Sequence, residues 1–145
     1  SLQNVSFSPD GKRFLVAQDN GSGNGYDTAT GALAGTLTGH VGMMEAGSFS
    51  PDGTLIASAG NDRTARLWDA QTFRLLQVHA AAAKFYDDVA FSPDGTRLLT
   101  ANGDGAIRVF SVPRFGGSPA EAAALVRARA PFRLDGGKLV AISSR

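Results

Sequence analysis

Phe49-Ser50-Pro51-Asp52-Gly53 decides the fold, because the same five residues also stand at 7–11 and at 91–95. The copies begin at 7, 49 and 91, so the chain repeats every 42 residues. Ser followed by Pro, Asp and Gly is close to what a type I β-turn asks for. Pro presets the first turn dihedral, Asp hydrogen-bonds to nearby backbone and Gly accepts the positive φ that ends the turn. Each copy is therefore expected to join two strands. Upstream lie Val5-Ser6-Phe7, Gly47-Ser48-Phe49 and Val89-Ala90-Phe91. Downstream lie Arg13–Ala17, Thr54–Ser58 and Arg97–Ala101, apolar runs of strand length that read as buried on both faces.

Working outward, a second set of Gly/Asn/Asp turns follows at 18–21, 60–63 and 102–105 and leads into third strands at Thr64–Trp68 and Ala106–Phe110. A fourth strand is expected at Phe73–Val78, with Leu33–Leu37 as its weaker partner in the first unit. Four short antiparallel strands on a period in the low forties make one propeller blade. The units run over about 2–40, 41–83 and 84–126. Phe132–Val140 lines up with Phe91–Leu99, its turn Pro replaced by Leu134, and reads as the inner half of another unit at 127–145. Pro119–Arg129 occupies the fourth-strand slot of the third unit yet has helical propensity, and helix and strand both stay open there.

The second unit resembles a WD repeat. Thr38-Gly39-His40, Ser58, Asp62 and Trp68-Asp69 stand where that family places its Gly-His, strand Ser/Thr, turn Asp and Trp-Asp. The resemblance implies an all-β WD-repeat β-propeller with about three and a half four-stranded blades visible and the ring incomplete. It also implies that His40, Ser58, Asp62 and Trp68 form a hydrogen-bonded tetrad tying outer strands to inner ones. The third unit keeps Thr100 and Asp104 but has Ala82 in place of the His and Phe110-Ser111 in place of Trp-Asp. The first has Val16, Asn20 and Tyr26-Asp27 at these places.

Several residue sets invite a chemical reading. His40, Ser58 and Asp62 are the three types of a hydrolase triad, but the tetrad accounts for all of them, and no pocket or oxyanion hole is indicated. Asp10, Asp52 and Asp94 each sit in a turn that wants Asp, and they are spread around a ring, so they are not expected to share a metal. Gly21–Gly25 does not lead into a helix as a phosphate-cradling loop would, and it reads as a degenerate third strand. His79 has no motif around it. With two His and no Cys, transition-metal ligands are few, and no cofactor is expected.

Net charge is +1, but residues 112–145 carry six basic against two acidic side chains, which leaves +4 there and −3 over 1–111. Those basic residues are not interleaved with aromatics as in a single-strand binding platform, so a nucleic-acid partner is not expected. No apolar run is long enough for a membrane span. The cytoplasm is the expected compartment, with a targeting segment upstream of Ser1 left open because the chain lacks an initiator Met.

What remains is surface. In WD-repeat proteins the loops joining fourth to first and second to third strands gather on a face that docks peptides and proteins. Here Met43, Met44, Arg63, Phe85 and Tyr86 are the candidate partner contacts, and the competing reading is that Met44 and Phe85 tuck into grooves between blades. The expected function is a non-catalytic interaction scaffold. The alternatives are a regulatory propeller appended to a kinase, NTPase or protease and, less favoured, a propeller hydrolase. Closure of the ring calls for a longer propeller or for other chains.

Overall fold

A computed structural model describes residues 1–80 and 84–114 in full, and the backbone alone of 132–135 and 138–141. The first sheet runs in the order β1 (Leu2–Phe7), β2 (Arg13–Gln18), β3 (Gly23–Asp27), β4 (Leu33–Leu37). The second runs β5 (Met44–Phe49), β6 (Leu55–Gly60), β7 (Ala65–Asp69), β8 (Leu75–His79). The third contains β9 (Tyr86–Phe91), β10 (Arg97–Asn102) and β11 (Ile107–Ser111), followed by β12 (Phe132–Asp135) and β13 (Lys138–Ala141). Every pairing is antiparallel between neighbours in the chain, the up-and-down meander of a propeller blade.

The repeated turn is built as its composition demands. In the second sheet the Ser50 hydroxyl donates to Asp52 Oδ1 (2.6 Å), and Thr54 N donates to the same oxygen (3.0 Å). Leu55 N closes the turn onto Ser50 Oγ at 2.9 Å. Gly53 takes φ 74°, matched by Gly11 at 69° and Gly95 at 72°. The Gly-rich first unit forms the strand β3, as its reading as a third strand anticipates.

One segment departs from the repeat register. Phe132–Asp135 aligns with the start of a fourth unit, but β12 pairs with β11 in the third sheet through Val109↔Phe132 and Arg108↔Arg133. The outer edge of β11 offers unpaired N–H and C=O groups, and β12 satisfies them. Residues 119–129, where helix and strand were both open, lie outside the described residues.

Two cores hold the sheets face to face. Leu15, Ala17 and Leu37 of the first sheet pack against Met44, Phe49, Ile56, Trp68, Ala70 and Phe73 of the second. Ala57, Ala59, Ala65 and Leu67 of the second pack against Tyr86, Val89, Leu98 and Phe110 of the third. A register shift at the same place in each unit sets these faces, between Leu2 and Asn4, between Met44 and Ala46, and opposite Ala101 and Asn102. A bulge reverses the inside-outside alternation, so Met44 and Tyr86 join the face of Phe49 and Phe91.

The first interface has a peg. Phe73 sits at φ 59° after β7, and its buried ring lies over Gly25 and Gly35, which are cross-strand partners in β3 and β4. A Cβ on Gly25 would lie 2.5 Å from that ring, and one on Gly35 2.3 Å from it. Burying a Phe ring contributes about 1.5–3 kcal/mol.

Candidate functional site

The densest polar construction in the second sheet surrounds Asp62, in the turn between β6 and β7. His40 Nδ1 lies 3.0 Å from each carboxylate oxygen, and His40 Nε2 lies 2.7 Å from Ser58 Oγ. A carboxylate only accepts, so Nδ1 carries the proton and Nε2 accepts from the Ser58 hydroxyl. Trp68 Nε1 donates to the same Ser58 oxygen at 2.8 Å. The chain of bonds runs Trp68 to Ser58 to His40 to Asp62, linking β7, β6 and the loop after β4. Gly60 makes room for it, since a Cβ there would stand 2.5 Å from His40 Nδ1.

Asp62 accepts more than the imidazole. Val41 N (3.0 Å), Thr64 N (3.0 Å), the Thr64 hydroxyl (2.7 Å) and Arg66 Nη2 (3.1 Å) all donate to it. Burial alone would raise its pKa, but the hydrogen bonds from Thr64, Val41 and His40 outweigh burial and bring it down to about 2. Burial pushes His40 the other way from a charged state, below its usual value, despite the opposing pull of Asp62. The imidazole is therefore neutral near pH 7, and Arg66 is the cation that balances Asp62.

The connectivity is that of a Ser-His-Asp triad, yet Ser58 is fully buried. Its oxygen already accepts from Trp68 while its proton goes to His40, so this trio braces the blade rather than presenting a nucleophile. Thr64 and Arg66 belong to the network although the sequence reading did not single them out. The signal was present: Arg66 recurs 42 residues later as Arg108, which pairs with Asp104 at 2.7 Å. In the third sheet Thr100 stands at the place of Ser58 and Phe110 at that of Trp68, so the indole donor is missing and the buried Thr100 hydroxyl has no hydrogen-bond partner among the described residues.

A pH dependence follows. Unfolded His40 binds a proton below its ordinary pKa of 6.5, while the folded ring resists it, so the unfolded state binds more protons and stability drops as pH falls through 6.5. Asp62 adds a second loss between pH 3.8 and about 2, where only the unfolded carboxylate is protonated. Melting temperatures measured from pH 7.5 to 5 should decline, and His40→Asn should flatten the decline; an unchanged slope in that variant would mean a charged, solvated imidazole.

The loops at this end of the sheets carry the candidate contacts. Arg63 is exposed, Met43 is half-buried and its carbonyl accepts from Asn61 N at 2.9 Å. Phe85 is 42% exposed and rests its ring over Gly103. Met44 and Tyr86 are corrected from contact to core, because the bulge turns both into the interfaces and leaves them fully buried. Val41, which the sequence reading passed over, is 79% exposed, and an apolar residue set between His40 and Gly42 in a short loop gives no periodic signal. Asp10, Asp52 and Asp94 each bond within their own turns. Among the described residues, no three His, Cys, Asp or Glu gather to hold a metal ion, and no helix is long and apolar enough to cross a membrane.

The WD domain, G-beta repeat family profile matches residues 31–69 and 75–111, together just over half of the chain. No curated protein matches it.

Proposed function

We propose that this chain, which belongs to the WD-repeat family, is a non-catalytic platform for a protein or peptide partner that docks on the loop end of the second and third sheets. WD repeats generally mediate protein–protein interaction, and the finer reading rests on one observation. Met43, Arg63 and Phe85 are presented from backbone fixed by hydrogen bonds: Asn61 N to Met43 O, Arg63 N to Gly60 O and Gly103 N to Phe85 O. Partly exposed Met and aromatic side chains on an ordered base lose little entropy on binding and suit an interface.

A photo-crosslinking p-benzoylphenylalanine at Phe85 tests the reading against the same group at Ala29, an exposed turn residue at the opposite end. A discrete cross-linked partner should appear from position 85 and be absent from 29. Equal yields from both positions, or a product only from 29, would overturn it.

The same reading includes ring completion. Leu2 and Phe7 on the first sheet are 67% and 62% exposed, whereas their counterparts Met44 and Phe49 are covered by the preceding sheet. Another blade-like sheet, from a longer chain or from a second one, fits this face.

A further inference from the structure

Positions 21, 63 and 105 are equivalent in the three units, and all three have positive φ: Gly21 at 84°, Arg63 at 64° and Gly105 at 78°. Two units use the residue that adopts this conformation freely, and the second holds an arginine there against its backbone preference. Phe73 is the parallel case, at φ 59° where the first unit has Gly31 at 70°, and its ring fills the Gly25–Gly35 socket. Arg63 has no such return. It is exposed and makes no side-chain hydrogen bond or ion pair among the described residues, whereas Arg66 and Arg108 are both tied to carboxylates.

The neighbouring carboxylate does not quench it, because Asp62 is already held by Arg66, His40 and Thr64. Beside it stands an apolar contact. The Val41 N–H is fixed to Asp62 Oδ2 at 3.0 Å, which places this exposed valine against the residue preceding Arg63. A cation and an aliphatic side chain are thus offered from two loops, the one after β4 and the turn between β6 and β7, that this hydrogen bond ties together.

We propose that Arg63 and Val41 are a two-point anchor for a partner segment carrying a carboxylate next to an apolar side chain, the guanidinium taking the carboxylate and Val41 the apolar group. The inference rests on the docking reading above and names the chemistry of its partner. A planar guanidinium suits bidentate carboxylate recognition.

The test is a 15N amide titration of the full chain with a capped hexapeptide, Gly-Asp-Glu-Leu-Gly-Gly, alongside its Asn-Gln-Leu and phosphoserine counterparts. The acidic peptide should shift amides at 41–43 and 61–64, Arg63→Gly should weaken it at least ten-fold, and Val41→Ser should weaken it several-fold. Arg63→Gly should also raise Tm by about 2–5 °C, because glycine relieves the backbone. Equal binding of the Asn-Gln-Leu peptide would overturn the charge argument, and markedly tighter binding of the phosphoserine peptide would overturn the choice of carboxylate. A fall in Tm in Arg63→Gly would mark the side chain as structural and overturn the proposal. Shifts elsewhere that survive Arg63→Gly would sink the anchor while leaving the platform standing. Absence of any shift at millimolar peptide would also sink it, and cross-linking from position 85 would then decide the platform separately.

Discussion

Asp62→Ala is expected to lower the stability of the folded chain by about 3 kcal/mol, well beyond the roughly 0–1 kcal/mol of an exposed ion pair. The carboxylate receives donors from His40, Val41, Thr64 and Arg66, and its removal strands all of them at once. Arg66 is the costliest, since its side chain is only 12% exposed and would be left as an unpaired charge. Asp62→Asn keeps one carbonyl acceptor and should lose less. Urea unfolding at constant slope measures both variants, and a loss under about 1 kcal/mol for Asp62→Ala would reduce the network to surface decoration.

The loss should not remain local. His40 and Val41 belong to the loop that delivers the chain from β4 into β5, and Met44 opens β5 directly after it as a filler of the first interface. Releasing Asp62 therefore loosens the base on which Val41, Met43 and Arg63 are held. Stability and docking share one carboxylate, so Asp62→Ala would weaken binding without touching a partner, and Arg63→Gly is the cleaner probe of recognition.

The strand plan was legible because the turn residues punctuate it: Ser-Pro-Asp-Gly leaves the chain few ways to continue other than reversing. The tetrad residues were legible through the family resemblance, and the repeat carried their spacing. Interface facing was not. Tyr86 reads as a loop contact and Met44 as either contact or groove filler, since a bulge at Glu45 and Asp87 is invisible in an apolar-polar pattern that assumes strict alternation. The pairing of β12 with β11 was missed for a different reason. A strand's sequence records which faces it can bury, not which edge it will join, so Phe132–Asp135 looks alike whether it opens a new sheet or closes an old one. The Gly25–Gly35 pair was read as a weak strand because its partner, Phe73, lies more than thirty residues away and in another unit.

That pair yields the second large effect. Phe73→Ala should cost about 3–5 kcal/mol, the usual loss for a buried Phe truncated to Ala. Gly35→Ala should cost about 2 kcal/mol or more, because its Cβ and the Phe73 ring cannot occupy sites 2.3 Å apart and the ring would have to leave its socket. The two losses should not add. With the ring gone, a methyl on Gly35 fills part of the cavity and removes a glycine from a strand interior, where it ordinarily weakens pairing by about 0.5–1 kcal/mol relative to Ala. In the Phe73→Ala background, Gly35→Ala is thus expected to be neutral or stabilising, a coupling of about 2 kcal/mol in a double-mutant cycle. Additive losses would mean that the ring is held by other neighbours and that β3 and β4 are glycine-rich for some other reason. Coupling would instead make two unfavourable local choices, a phenylalanine in left-handed backbone and glycines inside strands, a single favourable one when the first two sheets meet.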